Sequence, residues 1–208
     1  QTNPKIGKKD LAILLVMVIV CSVMSFWDLG NAYGPSSFWK AAEKGEYVIV
    51  EFDAETEISR MACSNNIPKN GSYTVYYEDG DGTGEYKKFE SISMETFFEW
   101  KFTDKKVTTK RIKVVADTAG LAVNELGFFA KDSNGEYKRI NLKVTETKYN
   151  KDLNEDCNPG MLFDEQEVVE PYSSYRSSTY FDEIYFPRTA YESINGYDIY
   201  EITHPPMG

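Results

Sequence analysis

Three observations predict a mainly β protein built as an antiparallel sandwich. Between residues 45 and 144 apolar and polar residues alternate with a period of two, which places successive side chains on opposite faces of a strand. The segments are short and rich in β-branched and aromatic residues, and Asn70-Gly71, Asp81-Gly82 and Ser133-Asn134-Gly135 separate them. Glycine tolerates the positive φ that such turns need. No long helical period interrupts the region. One apolar helix precedes it and a short helical loop segment follows. The expected order is transmembrane helix, sandwich, linker and loop.

Taken in order, residues 1–10 are a polar tail, with Lys5, Lys8 and Lys9 just before an apolar run. That run, residues 11–27, holds no charge. Crossing a bilayer takes about 17–25 apolar residues, so it sits at the short limit and reads as a transmembrane helix. Lysines before it and Trp27 after it place the N-terminus in the cytoplasm and everything from Asp28 outside the cell membrane. A cleaved signal peptide is the rival, because a basic start and an apolar core fit it too. No small-x-small cleavage site follows, and the run is long for the apolar part of a signal. A lipoprotein signal at Cys21 is disfavoured by bulky Val20.

Residues 28–150 are the expected outer sandwich. Its strands are Tyr47–Phe52, Ile58–Ala62, Ser72–Tyr77, Phe97–Phe102, Arg111–Ala116, Glu125–Phe129 and Arg139–Val144, with Lys88–Ser91 closing a hairpin. Residues 151–180 read as a linker: Asn154–Gly160 is turn-forming, Asp164–Glu170 is acidic, and Ser173–Thr179 is serine-rich. Residues 181–208 carry the helical loop.

The chain has 208 residues, enough for one substantial core. A formal net charge of −10 and the lack of basic clusters argue against a nucleic-acid partner. Fifteen tyrosines suit contact with carbohydrate, because sugar faces stack on aromatic rings, although tyrosine also populates strands for its own sake. Cys21 lies in the apolar run; Cys63 and Cys157 are free to pair outside the cytosol, but nothing in the sequence brings them together. No Cys or His spacing calls for zinc, and no cofactor is required. Asn70-Gly71-Ser72 matches a glycosylation acceptor, yet its turn explains it better.

Asp79 and Asp81 with Gly84 and Glu90 nearly match a calcium loop of the helix-loop-helix kind. That loop needs flanking helices, and strands flank it here, so a solvated acidic hairpin is expected and no metal site. Asp182 and Glu183 sit among Phe181, Tyr185 and Phe186, followed by Arg188, Glu192 and the sole histidine, His204, beside Pro205-Pro206. Adjacent carboxylates commonly cap a helix. Apolar neighbours would instead raise a carboxyl pKa toward that of a working base. Arg188 has helical spacing to Glu192.

Two resemblances bear on these residues. The order Val48–Phe52, Ile58-Ser59-Arg60, Gly71–Tyr77, Arg111–Val114 and Leu121–Phe128 resembles the discoidin-like, galactose-binding jelly rolls, many of which bind sugars at the loops of one end. The order Phe181-Asp182-Glu183, Thr189-Ala190-Tyr191-Glu192 and Thr203-His204-Pro205-Pro206-Met207-Gly208 resembles the first outer loop of the protein mannosyltransferase-like membrane glycosyltransferases of GT-C type. That resemblance implies an inverting transferase moving a mannose-like sugar from a polyprenyl-phosphate donor to a protein or glycan acceptor outside the membrane. Asp182 is then the base and Glu183 its partner. Arg188 and His204 are candidate substrate contacts, with His204 marking re-entry to the membrane. The sandwich is an insertion in that loop, and this stretch alone is expected to lack turnover. The rival expectation is a membrane-anchored carbohydrate-binding module without catalysis.

Overall fold

The computed structural model describes residues 7–26, 34–65, 71–80, 84–93, 99–152, 158–174 and 185–196. The chain divides into two compact units, Gln1–Ala32 and Tyr33–Gly208.

The first unit holds helix α1, Lys8–Phe26. Asp10 accepts a hydrogen bond from the Gly7 amide at 2.8 Å and so caps its start. Leu11, Ile13, Leu14 and Leu15 are each more than half exposed, so apolar side chains point to all sides. Among the described residues no helix is long and apolar enough to cross a membrane. This corrects the span expected over residues 11–27. Lys8, Lys9 and Asp10 occupy the first turn, and the uncharged part from Leu11 to Phe26 reaches only about 24 Å at ~1.5 Å per residue, against a hydrocarbon layer of about 30 Å.

The second unit is mainly β, and every strand pairing is antiparallel. Its strands are β1 (Trp39–Lys40), β2 (Tyr47–Ile58), β3 (Arg60–Asn65), β4 (Ser72–Glu78), β5 (Tyr86–Ser93), β6 (Glu99–Thr103), β7 (Val107–Ala116), β8 (Ala122–Val123), β9 (Glu125–Lys131), β10 (Tyr137–Arg139) and β11 (Leu142–Lys148). A five-stranded sheet runs β11-β2-β7-β4-β5, a four-stranded sheet runs β10-β9-β3-β6, and β1 pairs with β8 in a small ribbon. Alternation fixes which side each residue takes. Val48, Val50 and Phe52 of β2, Tyr73 and Val75 of β4, and Ile112 and Val114 of β7 are buried against Met61, Cys63, Leu126 and Phe128 of the other sheet. Phe52 and Phe128 meet edge to face across the layers, 5.8 Å between centroids, an arrangement worth about 0.5–1.5 kcal/mol beyond the area buried.

The stretch expected as one strand, Arg139–Val144, is two. β10 pairs with β9 while β11 pairs with β2, and buried Ile140 makes the crossing between sheets. The β9–β10 turn is built by Asp132, whose side chain accepts from the amides of Asn134 and Glu136 at 2.9 and 3.0 Å. Gly135 adopts φ 80° there, which a side chain would strain.

Residues 158–174, within the expected linker, pack on the sandwich. Leu162 and Phe163 join the main core, and Val169 joins a second cluster with Ala62, Trp100 and Phe129. Arg60 fastens this segment. It donates to Asp104 at 2.6 and 2.7 Å and to the Pro171 carbonyl at 2.7 Å, beneath the rings of Tyr137 and Tyr172. Gly127 lets the segment approach: a Cβ there would lie 2.5 Å from Val169 Cγ1. Gly127→Ala is therefore expected to cost about 1–3 kcal/mol by overpacking. Adding Val169→Ala should recover part of that cost, a coupling that urea unfolding of the single and double variants will measure. Strictly additive losses would show that the contact does not limit the packing.

Candidate functional site

In the five-stranded sheet the core takes one side of the strands and leaves most of the other to solvent. On the outer face of the five-stranded sheet, Tyr47 and Glu51 of β2, Arg111 and Lys113 of β7, and Tyr76 and Glu78 of β4 alternate with the buried residues named above. The register sets them in rows. Tyr76 stands opposite Lys113 on one side and Lys88 on the other. Glu78 stands opposite Tyr86, and Tyr47 opposite Lys148.

The Lys113 ammonium lies 3.9 Å from the centre of the Tyr47 ring and 5.4 Å from that of Tyr86, within reach of the electron-rich ring faces. The Tyr47 hydroxyl donates to Glu146 at 2.5 Å, and this bond raises the Tyr47 phenol above its usual pKa. Burial raises that of Tyr86. Beside them Glu51 accepts from Lys110 at 2.8 Å and from Arg111 at 3.1 Å, which holds its carboxyl below the usual range. Arg111 also reaches Glu78 at 3.5 Å. The face combines half-buried phenol rings with donors and acceptors of both charges.

A second polar cluster lies where β9 meets residues 164–166. Glu125, Asp164 and Glu165 bring carboxylate oxygens within 4.8 Å of one another, a donor set that suits a hard divalent cation. Hydrogen bonds already satisfy it. Glu125 accepts from the Gln166 side chain at 2.6 Å. Glu165 accepts from the amides and hydroxyls of both Ser36 and Ser37 at 2.7–2.8 Å. Burial works to raise the Glu165 pKa, but those bonds outweigh it and the net shift is downward. Glu125 is fully buried, and burial pushes its carboxyl up to about 9.

The expected site residues fall out as follows. Asp182, Glu183 and His204 lie outside the described residues, as do Asn70, Asp81 and Cys157. Arg188 sits on α2, Tyr185–Asn195, and donates to Glu192 one turn on at 2.9 Å. Glu192 is only 2% exposed there, so the helical pairing holds. β4 and β5 flank the acidic hairpin. Asp79 pairs with Lys87 and Glu90 with Lys105, so each of these two carboxylates has a lysine of its own. Cys63 is a free thiol in a cleft of about 250 Å³ between edge strands β5 and β6. Burial pushes its pKa up to about 12 and keeps it protonated. The Tyr47–Lys113–Tyr86 grouping was missed. Its residues come from three segments that only the pairing of β2, β7, β4 and β5 brings together.

No protein-family model matches the sequence, and no curated protein matches it. Among solved structures the chain is similar to a pectin-binding carbohydrate-binding module, at 20% identity over 51% of this chain and 81% of the other, with a TM-score of 0.39. It is also similar to a Ruminococcus gnavus GH29 fucosidase in complex with fucose, at 16% identity over 58% of this chain and 20% of that one, with a TM-score of 0.33.

The Glu125 carboxyl gives a pH dependence. Its folded pKa of about 9 exceeds the ordinary 4.5, so the fold binds this proton more tightly than the unfolded chain does. The resulting stability is complete below the ordinary value and is lost as pH rises toward the folded one. The thermal midpoint should fall between about pH 5 and about pH 9, and Glu125→Gln should flatten that decline. An unchanged slope in the variant would show that Glu125 does not titrate in this window.

Proposed function

We propose that the sandwich binds carbohydrate through the outer face of its five-stranded sheet, as a discoidin-like, galactose-binding module. The observation that carries this reading is the lysine held between Tyr47 and Tyr86 on an open face. Apolar sugar faces stack on phenol rings, and ring hydroxyls need the mixed donors and acceptors that Lys113, Glu146, Glu51 and Arg111 present. The stretch after this module reads as the catalytic loop of a membrane glycosyltransferase, and the module would hold its acceptor glycan. The order Phe181-Asp182-Glu183 through His204-Pro205-Pro206 supports that part. Asp182 would take the proton of the acceptor hydroxyl while a polyprenyl phosphate leaves from the sugar, and Glu183 would tune it. His204 shapes the return to the membrane. Arg188, committed to Glu192, serves α2 rather than the donor phosphate. The exposed apolar surface of α1 favours membrane association.

Two experiments test this function. In detergent, the 208-residue chain is screened against immobilised polysaccharides, with Tyr47→Ala and Tyr86→Ala beside it. Each variant should lose about tenfold in affinity, near 1.4 kcal/mol. Undiminished binding in both would move the site off this face. In the full-length enzyme, Asp182→Asn should lower sugar transfer by about 10²–10⁴-fold while donor affinity holds. Near-normal turnover would exclude Asp182 as the base and favour the module alone.

A further inference from the structure

The chain is acidic, with 33 Asp and Glu against 23 Lys and Arg, yet the outer face of the five-stranded sheet carries four lysines with no carboxylate partner among the described residues. Lys88 and Lys113 flank Tyr76 across β5, β4 and β7. Lys148 stands opposite Tyr47, and Lys143 opposite Glu51. None of these four lysines has a carboxylate partner among the described residues. The carboxylates of the same face are engaged: Glu51 by Lys110 and Arg111, Glu78 by Arg111, and Glu146 by the Tyr47 hydroxyl. Each of these carboxylates therefore has a partner on the face, and none of the four lysines has a described carboxylate.

Resting on the reading that this face binds carbohydrate, we infer that its ligand is an acidic glycan, a chain of sugars bearing carboxylates. The rings of Tyr47, Tyr76 and Tyr86 take the sugar faces. Lys113 and Lys88 take carboxylates on either side of Tyr76. Those lysines leave from strands two apart, about 9.6 Å at ~4.8 Å per strand, within the span of a short oligosaccharide. A neutral sugar could only accept hydrogen bonds from the Lys113 ammonium. A carboxylate also supplies the countercharge that the two rings, with their weak negative faces, leave unmet.

The test uses the 208-residue chain in detergent and two probes, an oligo-uronate and the same oligomer after reduction of its carboxyl groups. Calorimetric titration should show the uronate binding at least about tenfold more tightly, with the preference shrinking as salt shortens the screening length from ~10 Å at 0.1 M toward ~3 Å at 1 M. Lys113→Met, which keeps the aliphatic stem against the rings, should remove most of that preference, weakening the uronate far more than the reduced oligomer. Lys88→Met, an exposed site with no pairing to lose, gives a second variant should the first fail to fold. Lys138→Met, on β10 of the other sheet, should change nothing. Equal affinity for both probes overturns the acidic ligand and leaves the glycan reading intact. Binding of neither overturns both. Equally tight binding of a DNA oligonucleotide at the same salt would show an unspecific polyanion face and overturn the inference.

Discussion

Strand register in the five-stranded sheet is the constraint on which the rest depends. Val48, Val50 and Phe52 must face the second sheet to bury their apolar surface, and Ile112, Val114, Tyr73 and Val75 must do the same. A slip of one residue in any strand would send its whole apolar set to water. Once the inner positions are settled, the outer ones follow without freedom: Tyr47 and Glu51, Arg111 and Lys113, Tyr76 and Glu78. The polar face is the necessary reverse side of the core, and the close approach of Lys113 to Tyr47 and Tyr86 follows from the pairing that the core enforces.

Much of this architecture is legible in the sequence because alternation is a local signal. β2, β4, β7 and β9 appear where the period-two pattern puts them, with ends shifted by a few residues. What failed was non-local. Arg139–Val144 reads as one strand, but Ile140 carries the chain from one sheet to the other, and no local pattern distinguishes a crossing from a continuation. Leu162, Phe163 and Val169 are isolated apolar residues in polar surroundings, so no period announces their burial. The candidate face was hidden for the same reason: Tyr47, Tyr86 and Lys113 are far apart in sequence, and only the strand order unites them. For α1 the hydropathy signal was clear, but it ran close to the length limit and the three charged residues of the first turn decided against a full crossing.

The two polar clusters contrast in how charge is handled. At Glu125, Asp164 and Glu165, serine hydroxyls, amides and one glutamine side chain satisfy the oxygens within the fold, and one carboxyl stays protonated well above its ordinary range. That arrangement ties residues 164–166 to β9 and to the strand-free stretch before β1. On the sheet face, Lys113 is left with rings instead of a carboxylate. The first pattern holds a structure together; the second leaves interaction strength for something that arrives from outside.

The most direct measurement is a residue-resolved NMR titration of the chain with an oligo-uronate, following backbone amides and tyrosine ring signals. Binding at the sheet face predicts saturable shifts centred on Tyr47, Tyr76, Tyr86 and Lys113 and little change along β3, β9 and β10. Shifts confined to the loops at one end of the sandwich, with those four residues unmoved, would contradict it.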